Sequence, residues 1–134
     1  MKKDNIWDKD EYCVYLHDGR GWNSKDVYIG YAKGDPRKRW YNKWGGHNYH
    51  HGKIGDALDR IPLYLWDHVI LQKGLSKEEA EIWETIYILE YDSIDNGLNA
   101  ILGNGLKMIG MTRAQALENR EECLRRLRER LEKV

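Results

Sequence analysis

The chain contains no phenylalanine, only two prolines and two cysteines, and no net charge. Without Phe, aromatic packing falls to six Trp and nine Tyr. These rings carry a polar atom, so they suit half-buried surfaces and polar grooves as well as cores. Cys13 and Cys123 lie far apart and neither belongs to a CxxC or CxxH pair. That excludes a disulfide scaffold and points to free thiols in a reducing compartment, with one structural disulfide as the alternative. No apolar run approaches membrane-spanning length. The opening MKKDNIWDKDEY lacks the apolar centre of a signal peptide. The expectation is a soluble cytoplasmic protein with no membrane partner. Because 22 Lys and Arg balance 22 Asp and Glu, total charge names no partner. Only its distribution can.

A chain of 134 residues suits one domain with a modest core. It shows no internal repeat and no low-complexity linker. Residues 1–11 are polar and read as an N-terminal extension. YCVYLH (12–17) and VYIGYA (27–32) are β-rich runs around a turn-rich loop, which predicts an antiparallel hairpin. Asp35-Pro36 reads as a helix start, with RKRWYNKW continuing to Gly45-Gly46. HGKIGDALDR (51–60) suits a second helix, and LYLWDHVIL (63–71) a third strand. Ser76-Lys77-Glu78-Glu79 is a capping box that opens a helix to about Tyr91. A Gly- and Asn-rich stretch follows at 95–105. Thr112-x-x-Gln115 then starts a final helix running near the end of the chain. This order predicts an α+β fold, not alternating βαβ units.

Charge is segregated along the chain. Between Tyr31 and Lys53 six basic residues (Lys33, Arg37, Lys38, Arg39, Lys43, Lys53) face one acid, Asp35, for a net +5. Trp40, Tyr41, Trp44 and Tyr49 are interleaved. Cations for phosphates and flat faces for bases or sugars are what a nucleic acid requires. A solvated helix face with Trp40 and Trp44 in the core is the plainer alternative. Between Ser76 and Asn96 seven acids oppose Lys77, for a net −6. Most of these acids should be solvated. One on the inward face of the helix, beside the basic strip, could hold a hard cation such as Mg²⁺. Glu84 is the candidate, since it sits at the edge of the stripe containing Ala80 and Trp83. Simple pairing with a basic residue is the alternative.

CVY (13–15) and YIG (28–30), separated by 12 residues, resemble the two name-giving motifs of the GIY-YIG nuclease family. YIGYAKGDPRKRW resembles its second strand, turn and first helix. EEAEIWETIYILEYDSIDNGLNAILGNG resembles its glutamate helix and G-x-N element. The likeness spans residues 12 to about 104 and lies nearest the phage and homing-type members. It implies a small three-stranded antiparallel sheet flanked by helices, with residues 105–134 added as a C-terminal helical segment. It also implies hydrolysis of DNA phosphodiesters with one Mg²⁺ or Mn²⁺, in a bacterial or phage-infected cell.

The resemblance assigns residues as follows. Glu84 would bind the metal, and Arg39 would stabilise charge on the phosphoryl oxygens, where its fork grips two of them. Tyr15, with Tyr28 beside it, would activate water. A tyrosine near pKa 10 is a poor base until cations lower that value, so the basic strip is expected over the hairpin. Asn99 is the asparagine of the G-x-N element. Lys33, Arg37, Lys38, Trp40, Lys43, Lys53 and Asn99 form the expected DNA-binding set. The family often carries a histidine near the first helix. Of His47, His50 and His51, His50 is the first choice as a catalytic group, with a zinc site or no role as alternatives. Cys13 replaces the first glycine of the family motif, and Tyr31 stands where some subfamilies place lysine.

TRAQALENREECLRRLRERLEKV (112–134) lies outside the likeness. Leu117, Leu124, Leu127 and Leu131 follow a heptad-like pattern, which suits packing on the domain or a homodimer. A DNA-contacting helix is the sharper alternative. As a whole, the chain reads as a metal-dependent DNA endonuclease. An idle DNA-binding module of the same fold, or a nuclease subunit that needs a partner protein, is the alternative.

Overall fold

The computed structural model describes residues 6–134. The first five residues of the expected N-terminal extension lie outside it. Strands β1 (Tyr12–Asp18) and β2 (Val27–Lys33) form the predicted hairpin, and β3 (Asp67–Leu75) pairs with the other side of β1. The sheet is antiparallel throughout, in the order β2-β1-β3. Helices α1 (Arg37–Trp40) and α2 (Gly52–Arg60) follow the hairpin, and α3 (Lys77–Glu90) follows β3. Then come α4 (Gly105–Ile109), α5 (Arg113–Glu118) and α6 (Arg120–Leu131). This is the α+β fold with a three-stranded antiparallel sheet flanked by helices.

As the central strand, β1 is covered on both faces, which explains its unbroken apolar run. Val14 and Leu16 face a core shared with Ile82, Ile86, Leu89 and Leu127 of the helices. Cys13 and Tyr15 face a second core with Trp40, Tyr49, Leu58 and Trp66. Both cysteines are free and buried. Among the described residues no helix is long and apolar enough to cross a membrane.

The α3 capping box forms as predicted, with Ser76 Oγ accepting from Glu79 N and Glu79 returning to Ser76 N. Three predicted elements change their bounds. The first helix stops at Trp40 because Tyr41 turns extended and bridges His47. The Asn42 side chain accepts from Trp44 N (2.9 Å) and Gly46 N (3.0 Å), offering the backbone an alternative to helix. The third strand starts at Asp67 rather than 63, because Leu63–Leu65 form a 3₁₀ turn after Pro62. It then runs on through polar Gln72 and Lys73, which an outer strand tolerates. The final helix breaks at Asn119, which leaves helical geometry and caps α6 by accepting from Glu122 N (3.2 Å). Helix α4 was not predicted.

The leucines of the C-terminal segment pack on the domain itself. Leu127 is fully buried against α3, and Leu117, Leu124 and Leu131 line the same core. Arg128 pairs with Glu90 (2.5 Å), Arg130 with Glu78, and Arg120 with Asp92 (2.8 Å) and Asp95 (3.0 Å). Three arginines of the terminal helix therefore pair with four of the seven acids of the 76–96 segment.

Candidate active site

The free edge of β2 is closed along one half and open along the other. Leu98 N donates to Val27 O (2.8 Å), and the Asn99 side chain clamps Ile29 by accepting from its N (2.9 Å) and donating to its O (2.8 Å). Beyond this clamp a cleft of about 510 Å³ wraps the strand edge, lined by Tyr15, Tyr28, Gly30, Tyr31, Ala32, Lys33, Lys38, Arg39 and Glu84. Four elements contribute: β1, β2, α1 and α3. The strand edge lets groups from both faces of the sheet meet. Alternation along β2 sends Tyr28 and Gly30 to one face and Tyr31 and Lys33 to the other, beside α3.

Tyr15 and Gly30 are register partners on adjacent strands. The tyrosine ring lies across the glycine so closely that a Cβ there would sit 2.5 Å from Oη. The last residue of CVY and the last of YIG thus form one packing unit.

Glu84 projects from α3 into the cleft, half-buried. Each of the other acids of the 76–96 segment has a partner: arginines of α6 for Glu78, Glu90, Asp92 and Asp95, the helix cap for Glu79, and Tyr31 Oη (3.1 Å) with Asn104 Nδ2 (2.7 Å) for Glu81. Of the seven acids of this segment, Glu84 alone has a carboxylate with neither an ion pair nor a hydrogen bond among the described residues. Burial, and then the charge of Glu81, raise its pKa from 4.5 to about 8, while Arg39 pulls it back. Gly103, at φ +87°, packs directly on this carboxyl, and a Cβ there would lie 2.6 Å from Glu84 Oε1.

The expected sign of the tyrosine shift is wrong. Arg39 does lower the pKa of Tyr15, but burial outweighs it and raises Tyr15 well above the ordinary value. Tyr15 is 1 % exposed, and its hydroxyl lies 2.8 Å from Tyr49 Oη. Tyr28 is also raised, by burial and then by Glu84.

Arg39 is exposed, 5.1 Å above the Tyr49 ring, and Lys33 and Lys38 line the cleft with it. Several other residues of the expected DNA-binding set are placed elsewhere. Trp40 is 5 % exposed and belongs to the second core, where it packs on Tyr15 and His17. It is Trp44, 84 % exposed on the Asn42 turn, that offers a free ring, with Lys43 Nζ 5.1 Å above it. Arg37 pairs with Asp35 (2.6 Å), and Lys53 donates to Ile94 O (2.7 Å). Asn99 is buried and its amide is committed to Ile29 and to Ser93 Oγ (2.8 Å), so it shapes β2 and does not line the cleft. His50 is exposed and does not line the cleft; its ring lies 5.6 Å from that of His47. Among the described residues, no group of three or more His, Cys, Asp or Glu could hold a metal, as a structural zinc site would require. Sequence reasoning passed over His17 and counted Tyr49 only as one of several aromatics. Both lie buried beneath Tyr15.

Compared with protein-family models, with curated proteins and with solved structures, the chain matches none.

Proposed function

We propose that this chain is a metal-dependent DNA endonuclease that hydrolyses phosphodiester bonds in the cleft at the β2 edge. The observation that carries the reading is the isolation of Glu84. In a segment of seven acids it is the one left without a partner, and it shares a cleft with Arg39, Lys33, Lys38, Tyr15 and Tyr28.

A lone carboxylate suits Mg²⁺ or Mn²⁺. Such ions keep several waters and are held by one or two carboxylates together with substrate phosphate. When bound at Glu84, the ion would supply Lewis-acid stabilisation of charge on the phosphate. Lys33 and Lys38 draw the DNA backbone to the cleft mouth. Arg39 donates to the non-bridging oxygens, where negative charge grows as water attacks phosphorus. Tyr15 Oη, supported by Tyr28 on the neighbouring strand, orients that water and accepts its proton. Trp44, with Lys43 over its ring, offers a base-stacking face outside the cleft.

The test is cleavage of supercoiled plasmid with Mg²⁺, beside EDTA and a Glu84→Ala variant. Nicking or linearisation that needs both Mg²⁺ and Glu84 supports the reading. DNA binding by a folded chain without cleavage would replace it with the binding module, and cleavage by Glu84→Ala would place the active site elsewhere.

A further inference from the structure

Below Tyr15 the second core contains a line of polar groups that packing alone does not require. Tyr15 Oη lies 2.8 Å from Tyr49 Oη, and Tyr49 Oη lies 3.0 Å from His17 Nε2. His17 Nδ1 lies 3.0 Å from His68 Nδ1. The line crosses from β1 through the loop before α2, back to β1, and on to β3. His17 is completely buried, and Trp40 packs edge-on against it and stacks on His68 at 5.0 Å. His68 lines a second cleft, with Trp7, Arg37, Trp40 and Ile70, apart from the one holding Glu84.

Two facing Nδ1 atoms need one proton between them, because each neutral imidazole carries one N–H. Burying such a pair costs free energy unless every member has a partner, and here His68 Nε2 at the end of the line is buried without one among the described residues. The geometry points to a proton relay that carries the proton of the attacking water from Tyr15 through Tyr49 and His17 to His68. It rests on the nuclease reading and answers a difficulty within it. Tyr15 is sealed from solvent on its far side, so a proton arriving from water must leave through protein.

In the resting state His17 carries its proton on Nδ1 and donates it to His68 Nδ1, while His17 Nε2 accepts from the Tyr49 hydroxyl. His68 carries its own proton on Nε2. When water attacks phosphorus, one of its O–H bonds breaks and that proton joins Tyr15 Oη. The Tyr15 proton moves to Tyr49, the Tyr49 proton to His17 Nε2, and the His17 Nδ1 proton to His68 Nδ1. Both tyrosines end as they began, His17 ends as the other tautomer, and His68 ends as imidazolium. No electron changes hands.

The surroundings favour a charge on His68 over one on His17. His17 is enclosed among aromatic rings, with the Arg39 and His68 charges both opposing a cation on it. Burial also pushes half-buried His68 below the ordinary imidazole value, but the Leu63 carbonyl and the Asp67 carboxylate offset part of that, whereas nothing offsets it at His17. Arg37 lines the cleft that His68 faces, but its guanidinium is engaged by Asp35. At the other end, Tyr15 is faced by Tyr28, Arg39 and Glu84.

Two measurements test the relay. Nitrogen-15 NMR of the histidines in the wild-type chain should show neutral His17 as the Nδ1–H tautomer and neutral His68 as Nε2–H near pH 7. A His17 carrying its proton on Nε2 would point the line the wrong way and overturn the proposal, whether or not the chain cuts DNA. Tyr49→Phe removes one hydroxyl and keeps the ring. It should lower kcat about 10²-fold at neutral pH with KM unchanged, within the range for a lost proton-transfer group. The deficit should shrink as pH rises and hydroxide replaces the relay, whereas a merely structural loss would be flat with pH. Wild-type cleavage together with an unchanged Tyr49→Phe rate and pH profile would overturn the relay alone. A folded wild-type chain that cuts no DNA would overturn the nuclease reading and the relay with it.

Discussion

The Tyr15 ring lies across the backbone of Gly30, its register partner on the next strand, with no room for a Cβ between them. This contact explains why a glycine ends the YIG run. It also explains how a tyrosine on the covered centre of the sheet still reaches a cleft at the β2 edge. Gly30→Ala should therefore displace Tyr15 or the strand. Overpacking at this closeness costs about 1–3 kcal/mol. Chemical denaturation should show that loss, and cleavage should fall more than the stability change explains.

Asn99 clamps both backbone groups of Ile29 in a buried setting. Asn99→Ala leaves an N–H and a C=O without partners, each at roughly 1–3 kcal/mol. The expected result is a marked drop in Tm with a disordered β2 edge. Unchanged Tm with reduced DNA affinity would instead show that Asn99 contacts the substrate.

Glu84 makes stability depend on pH. Its folded pKa of about 8 lies above the 4.5 of the ordinary carboxyl. Below pH 4.5 both states hold the proton. As pH rises to 8 the unfolded chain loses it first, so folding stability falls through this window and levels off above it. The amplitude is on the order of a few kcal/mol, since one unit is about 1.4 kcal/mol. Glu84→Gln should flatten this part of the profile. Bound at Glu84 as proposed, Mg²⁺ would displace the proton, so it should raise Tm at pH 8 more than at pH 5.5, and not at all in Glu84→Gln. Calorimetry across pH checks both statements.

The two tryptophans of the basic strip should separate cleanly. Trp44→Ala removes an exposed ring, so Tm should hold while single-stranded DNA affinity falls by about 1–3 kcal/mol if a base stacks on it. Trp40→Ala empties part of the second core and should cost about 3–5 kcal/mol of stability. Fluorescence titration with oligonucleotides and thermal melts read the two effects independently.

Much of the secondary structure was legible because it rests on local chemistry. The Ser76 and Thr112 capping boxes mark helix starts through bonds that reach three residues. The β-rich runs mark the hairpin strands. The misplaced boundaries share a cause: side chains or turns that compete with the regular element, as Asn42 and Asn119 do by capturing backbone N–H groups. The candidate site was legible in part. Tyr15, Tyr28, Lys33, Lys38, Arg39 and Glu84 do line one cleft, whereas Trp40, Asn99 and His50 do not. Residue type and spacing say that a tryptophan or asparagine is present, but not which way it faces.

The sequence by itself determined the α+β order of elements, the segregation of charge and the candidate carboxylate, because each depends on neighbours in the chain. Tertiary structure alone decided which acids are neutralised, which tryptophan is buried, and that His17 meets His68 across the sheet. Those outcomes depend on contacts between residues tens of positions apart. They exist only once strands have paired and helices have closed over both faces of β1.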